Sequence, residues 1–373
     1  MIGMSLCENK KTAYLMLADG TILKGKSLGA SGTTIGEVVF TTSMSGYQEI
    51  LTDPCHYGQI VMQTFPIIGN YGINDEDSES SRTHLNGYIV REYCDTPSNF
   101  RSSDDIDNYL KKENVVSIYG IDTRRLTRKI REQGVMNGAI TTENLDEINK
   151  EELLKRINSF TINGAVQSTS SRSGAEFAVP NAKYNVVMID YGFKRSICNE
   201  LTSLGCNIKV IPSSSTVEEI LSLNPDGIIL STGGGDPSEN YAEIDVLKRL
   251  MPHNIPTFGI CLGHQLFAIA NGAKVIKQGN GHRGSNQPVY DISLGRTFVT
   301  SQNHGYIVDI DSIDDTVAKV SHVNGNDGTC EGIEYVNIPA FSVQFQPNSN
   351  GGSQSTSYLY DRFIKLMEEN KCR

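Results

Sequence analysis

The chain has 373 residues, enough for two domains with sizeable cores, and its 38% hydrophobic and 20% charged residues describe an ordinary soluble protein. A net charge of −10, with no basic stripe to offset it, argues against a general nucleic-acid or membrane-surface role. Eight scattered cysteines, with no C-x-x-C pair and no zinc-like histidine spacing, point to reduced thiols in a cytoplasm rather than a disulfide framework.

The N-terminus turns charged at Glu8-Asn9-Lys10-Lys11 before any sufficient apolar stretch, so no signal peptide is expected. No run of about 18 apolar residues suggests a membrane span. Short strands are expected at 13–17, 21–24, 37–41, 59–63 and 87–90. Between the first two, Gly20-Thr21-Ile22-Leu23-Lys24-Gly25-Lys26-Ser27 matches the phosphate-loop pattern letter for letter. That loop works only between a strand and a helix, whereas Asp19-Gly20 reads as a hairpin turn and Leu28-Gly29-Ala30-Ser31-Gly32 does not start a helix. No ATP site is expected there. A helix is expected over 124–133, whose Arg124, Arg125, Arg128, Lys129 and Arg131 form either a solvated face or a subunit contact.

Residues 164–183 are rich in Ser, Thr and Gly without periodicity and read as a linker between domains 1–163 and 184–373. Beyond it the rhythm becomes strand 184–190, helix 195–204, strand 207–212, helix 217–223, strand 227–230 and helix 242–250. Such alternation predicts a doubly wound, mostly parallel α/β sheet that binds ligands at the carboxyl ends of its strands.

The next segment is Thr257-Phe258-Gly259-Ile260-Cys261-Leu262-Gly263-His264-Gln265: a buried strand, then G-x-C-x-G, then a helix. The flanking glycines permit a turn tight enough to lift Cys261 above the sheet edge as a nucleophile elbow. A helix start also favours the thiolate, the form that attacks carbonyls. The alternative is a buried structural cysteine in a Gly-rich turn.

These residues resemble the small, glutamine-hydrolysing subunit of carbamoyl phosphate synthetase, a class I glutamine amidotransferase. The elbow carries the class. Thr42-Ser43-Met44-Ser45-Gly46-Tyr47-Gln48-Glu49-Ile50-Leu51-Thr52-Asp53-Pro54 and Gly120-Ile121-Asp122-Thr123-Arg124 are specific to the small subunit. Leu230-Ser231-Thr232-Gly233-Gly234-Gly235-Asp236-Pro237 looks like the family's oxyanion loop, which usually has Asn and Pro at positions 232 and 234. Gln302-Asn303-His304-Gly305-Tyr306 looks like its substrate loop.

The resemblance implies a class I amidotransferase fold for 184–373 and a β-rich α+β N-terminal domain that contacts the large subunit. It implies Cys261 as nucleophile and the N–H groups of Gly235 and Leu262 as oxyanion donors. Ser43, Gly233, Leu262, Gln265, Asn303, Gly305 and Tyr306 would hold L-glutamine. Ammonia would pass within a heterodimer to the large subunit, which carries ATP and Mg; this chain itself needs no cofactor or metal. The product, carbamoyl phosphate, serves pyrimidine and arginine biosynthesis.

One departure bears on activity. The family completes a Cys-His-Glu triad with His-Pro-Glu, but here Phe345 is followed by Gln346-Pro347-Asn348. An amide neither accepts nor donates a proton usefully near neutrality, so impaired hydrolysis is expected. Of the seven histidines, His304 on the substrate loop is the best substitute.

Overall fold

A computed structural model of the chain describes residues 10–347 and 355–372. The chain divides into two compact units, Met1–Ile162 and Asn163–Arg373.

The first unit is a closed seven-stranded barrel. Its strands run in the order Thr12–Leu17, Ile22–Gly29, Val116–Tyr119, Gly87–Val90, Gln59–Gln63, Thr33–Thr41 and Met136–Thr141, and the last pairs with the first. The phosphate-loop lookalike is the hairpin that joins the first two strands. Met16 stands opposite Ile22, Gly20 takes a left-handed φ of +83°, and Lys24 and Lys26 lie within the second strand. The central strands are buried on both faces. Ile60, Met62 and Ile89 enter one hydrophobic cluster, while Val61, Tyr88 and Val90 enter another. Both faces are therefore apolar, and the strands read as continuous apolar runs. The expected helix forms over Thr123–Gln133, and the Asp122 side chain caps it by accepting from Arg125 N–H.

The second unit is built on a ten-stranded sheet. Its parallel part has the order Cys206–Pro212, Tyr184–Asp190, Gly227–Leu230, Thr257–Ile260 and Ala340–Val343. Beyond Ala340–Val343 the sheet continues antiparallel through Cys330–Tyr335, Ala318–Asn324, Val275–Asp291 and Arg296–Val308. This extension had no signal in the alternating pattern upstream. The segment expected as a linker is part of this unit. It forms a helix, Ala165–Thr169, and an edge strand, Ala175–Phe177, antiparallel to Cys206–Pro212.

Helices cover both faces of the parallel strands. On one, Val187, Ile189, Ile228 and Leu230 pack with Val217, Ile220, Ile244, Leu247 and Leu266. On the other, Phe258 stacks on Phe341 at 4.4 Å and meets Tyr360 and Phe363 of the helix Tyr358–Lys371. Gly227 permits this close packing, since a Cβ there would lie 2.6 Å from Met367 Sδ and Phe363 Cζ.

Candidate active site at the Cys261 elbow

Cys261 sits between the strand Thr257–Ile260 and the helix Leu262–Ala270, at the carboxyl end of a central parallel strand. Its φ of +54° is in the left-handed region, costly for a residue with a Cβ, and marks a strained turn held by its surroundings. Two backbone bonds hold it: Cys261 N–H to Val343 O at 2.9 Å and Gly263 N–H to Ser231 O at 3.0 Å. Gly263 lets the helix approach the sheet, because a Cβ there would stand 2.3 Å from Leu230 O. Cys261 is buried, at 2% exposure.

Around it the second unit assembles most of the residues expected from the sequence. Leu262 opens the helix, so its N–H has no intrahelical acceptor and is available to an incoming oxygen. Gly235 takes a φ of +88° in the loop after Gly227–Leu230, and a Cβ on Gly233 would lie 2.6 Å from Leu262 Cδ2. Gln265 donates from Nε2 to Tyr306 O at 2.7 Å and to Gln344 Oε1 at 2.9 Å. The Cys261 thiol lies 3.9 Å from Asn303 O, and Gln344 Nε2 is 3.7 Å from the sulfur. Gly305 sits between Asn303 and Tyr306 on the strand Arg296–Val308, and Tyr306 OH donates to Asp236 Oδ2 at 3.2 Å, joining that strand to the Gly235 loop. Ser43 belongs to the first unit, where it is buried within 3.3 Å of Thr41 Oγ1 and precedes the left-handed Gly46.

The triad positions differ sharply. Gln346 is buried, donates from its backbone N–H to Ser301 O at 2.9 Å, and accepts at Oε1 from Lys194 Nζ, also at 2.9 Å. Lys194 is 3% exposed. The turn before it is fixed by the buried Asp190 carboxylate, which accepts from the N–H groups of Gly192, Phe193 and Ser171. Asn348 lies outside the described residues.

No described histidine hydrogen-bonds the Cys261 sulfur. His304 donates from Nδ1 to Tyr306 O at 2.9 Å and has Nε2 3.1 Å from Gln302 Oε1. Burial, then the neighbouring His282 and Arg283 charges, push its pKa well below the ordinary value. His264 bonds Ser342 Oγ through Nδ1 at 2.8 Å, and burial followed by His322 pushes it down to about 3. His282, 2.9 Å from Asp327 and 3.3 Å from Glu331, is the exception. Burial disfavours its charge, but the two carboxylates outweigh that and raise its pKa.

Sequence reasoning missed Lys194 and Gln344. Lys194 follows the carboxyl end of the strand Tyr184–Asp190, and the rule that ligands gather at such ends could have flagged it. Gln344 is two residues from Gln346 on the same chain end.

Comparison with known proteins gives the family. Residues 15–140 match the family described as carbamoyl-phosphate synthase small chain, CPSase domain, and residues 187–366 match glutamine amidotransferase class-I. A carbamoyl phosphate synthase small chain of Fusobacterium nucleatum is 47% identical over 358 residues, covering 95% of this chain and 98% of the relative. That of Syntrophotalea carbinolica is 44% identical over 373 residues, covering 96% and 98%. The crystal structure of a putative GMP synthase component from Thermoplasma acidophilum aligns with half of this chain and 96% of its own, at 22% identity and a TM-score of 0.45. By its identity to the carbamoyl phosphate synthase relatives over nearly its whole length, the chain belongs to the carbamoyl phosphate synthase small chain family.

Proposed function

We propose that this subunit binds L-glutamine and hydrolyses it slowly through a Cys261 thioester, supplying ammonia to a separate large subunit. The observation that carries the reading is the strained elbow, which holds the sulfur at a helix start against the 302–306 strand. Both protons of the Gln265 amide are used by Tyr306 and Gln344, so Oε1 is left to accept from the substrate's α-ammonium. Attack by sulfur on the side-chain carbonyl builds charge on oxygen, which the Leu262 and Gly235 N–H groups would receive. Collapse breaks the C–N bond; the nitrogen departs as ammonia once it gains a proton, and water then hydrolyses the thioester to glutamate.

The leaving nitrogen's proton is the weak point. Gln346 has no titratable proton, and positioned acid–base groups contribute roughly 100- to 10,000-fold. Impaired hydrolysis follows. ATP and Mg would act on the large subunit, in a cytoplasmic complex. No described helix is long and apolar enough to cross a membrane.

The Lys194–Gln346 bond favours a second reading, in which the chain is a catalytically silent partner that docks on the large subunit and supports ammonia-dependent synthesis. The two part in an assay of carbamoyl phosphate synthesis with the cognate large subunit, fed glutamine or ammonia. The first reading expects a slow glutamine-dependent rate that Cys261→Ser abolishes, beside an ammonia-dependent rate that it leaves intact. A glutamine-dependent rate indifferent to Cys261→Ser would refute it, and none at all in the parent would select the silent partner.

A further inference from the structure

The amide of Gln344 is the described side chain that donates to the Cys261 sulfur. The register of the sheet puts it there. Ile260 pairs with Val343, and Cys261 N–H bonds Val343 O, so the next residue on each strand end faces the other. Gln344 is fully buried.

Which end of that amide meets the sulfur follows from a chain of donors anchored on backbone. The Tyr306 carbonyl can only accept, so the atom of Gln265 2.7 Å from it is nitrogen. The same nitrogen lies 2.9 Å from Gln344, which must present oxygen to it. The remaining end of Gln344, 3.7 Å from the sulfur, is therefore its NH2 group. A neutral thiol can give its proton to Asn303 O at 3.9 Å, but a thiolate cannot. The bond from Gln344 strengthens when the sulfur becomes an anion.

We propose that Gln344 is a positioning residue that holds Cys261 by donating to its thiolate, with Gln265 and the Tyr306 carbonyl fixing which way its amide faces. With an amide at position 346, this donor and the helix N-terminus both favour the anion. The proposal rests on the reading of Cys261 as nucleophile. Its test reads the sulfur directly, so slow glutamine hydrolysis from any other cause leaves it untouched.

The measurement is the ultraviolet absorbance of the Cys261 thiolate against pH, taken as the difference between each protein and the same protein carrying Cys261→Ser. Gln344→Met keeps the length but loses the donor, and its titration should move up by about one pH unit, a roughly tenfold loss of thiolate. Gln344→Glu keeps an acceptor for Gln265 but faces the sulfur with a negative oxygen, and should move at least as far. Gln265→Met leaves Gln344 unanchored and should move less. Folded Gln344 variants, judged by near-ultraviolet circular dichroism, that titrate with the parent would overturn the proposal. So would a normal titration in Gln344→Glu beside a displaced one in Gln344→Met, since that pattern belongs to packing alone. Failure of all three variants to fold would mark Gln344 as structural and equally overturn it.

Discussion

Cys261 and Gln346 follow neighbouring strands of one sheet, Thr257–Ile260 and Ala340–Val343, yet their surroundings differ in kind. Cys261 sits in a strained turn, among amides and carbonyls arranged as donors and acceptors for a small polar ligand. Gln346, where the family carries a proton-transferring imidazole, is tied to the buried Lys194 amine. The polar surroundings of Cys261 and those of Gln346 are thus separable. A binding cradle needs dipoles with fixed directions, which amides supply, while proton transfer needs a group whose pKa lies near the working pH.

Restoring the missing groups tests that separation most strongly. Gln346→His together with Asn348→Glu should raise Cys261-dependent glutamine hydrolysis by roughly 100-fold or more, measured as glutamate release in the complex. Gln346→His alone should gain less, because the new imidazole would lack the carboxylate partner and would face the buried Lys194 amine. No gain from the pair would mean that the proton-transfer side has lost more than two side chains.

The cradle side can be broken without touching a polar group. Gly263→Ala would push a methyl into the Leu230 carbonyl and should destabilise the second unit by about 3 kcal/mol, read from denaturant midpoints, with loss of glutamine binding. A wild-type midpoint would show that the helix can slide and that the elbow is not held as tightly as its contacts imply.

The smallest effect expected is a pH dependence from the histidine beside the elbow. His264 in the folded chain has a pKa of about 3, against an ordinary value of 6.5, so on acidification the unfolded chain takes up a proton that the folded chain refuses. Its contribution is complete above about pH 6.5 and declines as pH falls toward 3, by on the order of 1 kcal/mol per pH unit. His282 runs the other way: its raised pKa gives a contribution complete below about pH 6.5 and lost as pH climbs through the folded value. Between about pH 7 and pH 5 the stability of His264→Gln should therefore fall less steeply than that of the parent. Equal slopes from chemical denaturation would place the acid sensitivity elsewhere.

The elbow was legible because its signal is local: glycines flanking a cysteine between an apolar strand and an apolar helix specify a turn within a few residues. The parallel strands were legible for the same reason, since their apolar runs and intervening helices alternate along the chain. The barrel's closure was not. Continuous apolar runs such as Gln59–Gln63 and Gly87–Val90 report burial on both faces but not which strands pair. Residues 164–183 misled for a related reason, because an edge strand of three residues needs no apolar periodicity to be recruited by its neighbour.

The sequence by itself determined the strand–turn–helix that displays Cys261 and the amide that stands at position 346, because residue type and short spacing carry both. Only the tertiary structure decided that Lys194 meets Gln346 across 152 positions and that Gln344 faces the sulfur across 83. Those meetings depend on parallel pairing between strands far apart in the chain, and pairing register is a property of the packed sheet rather than of any segment within it.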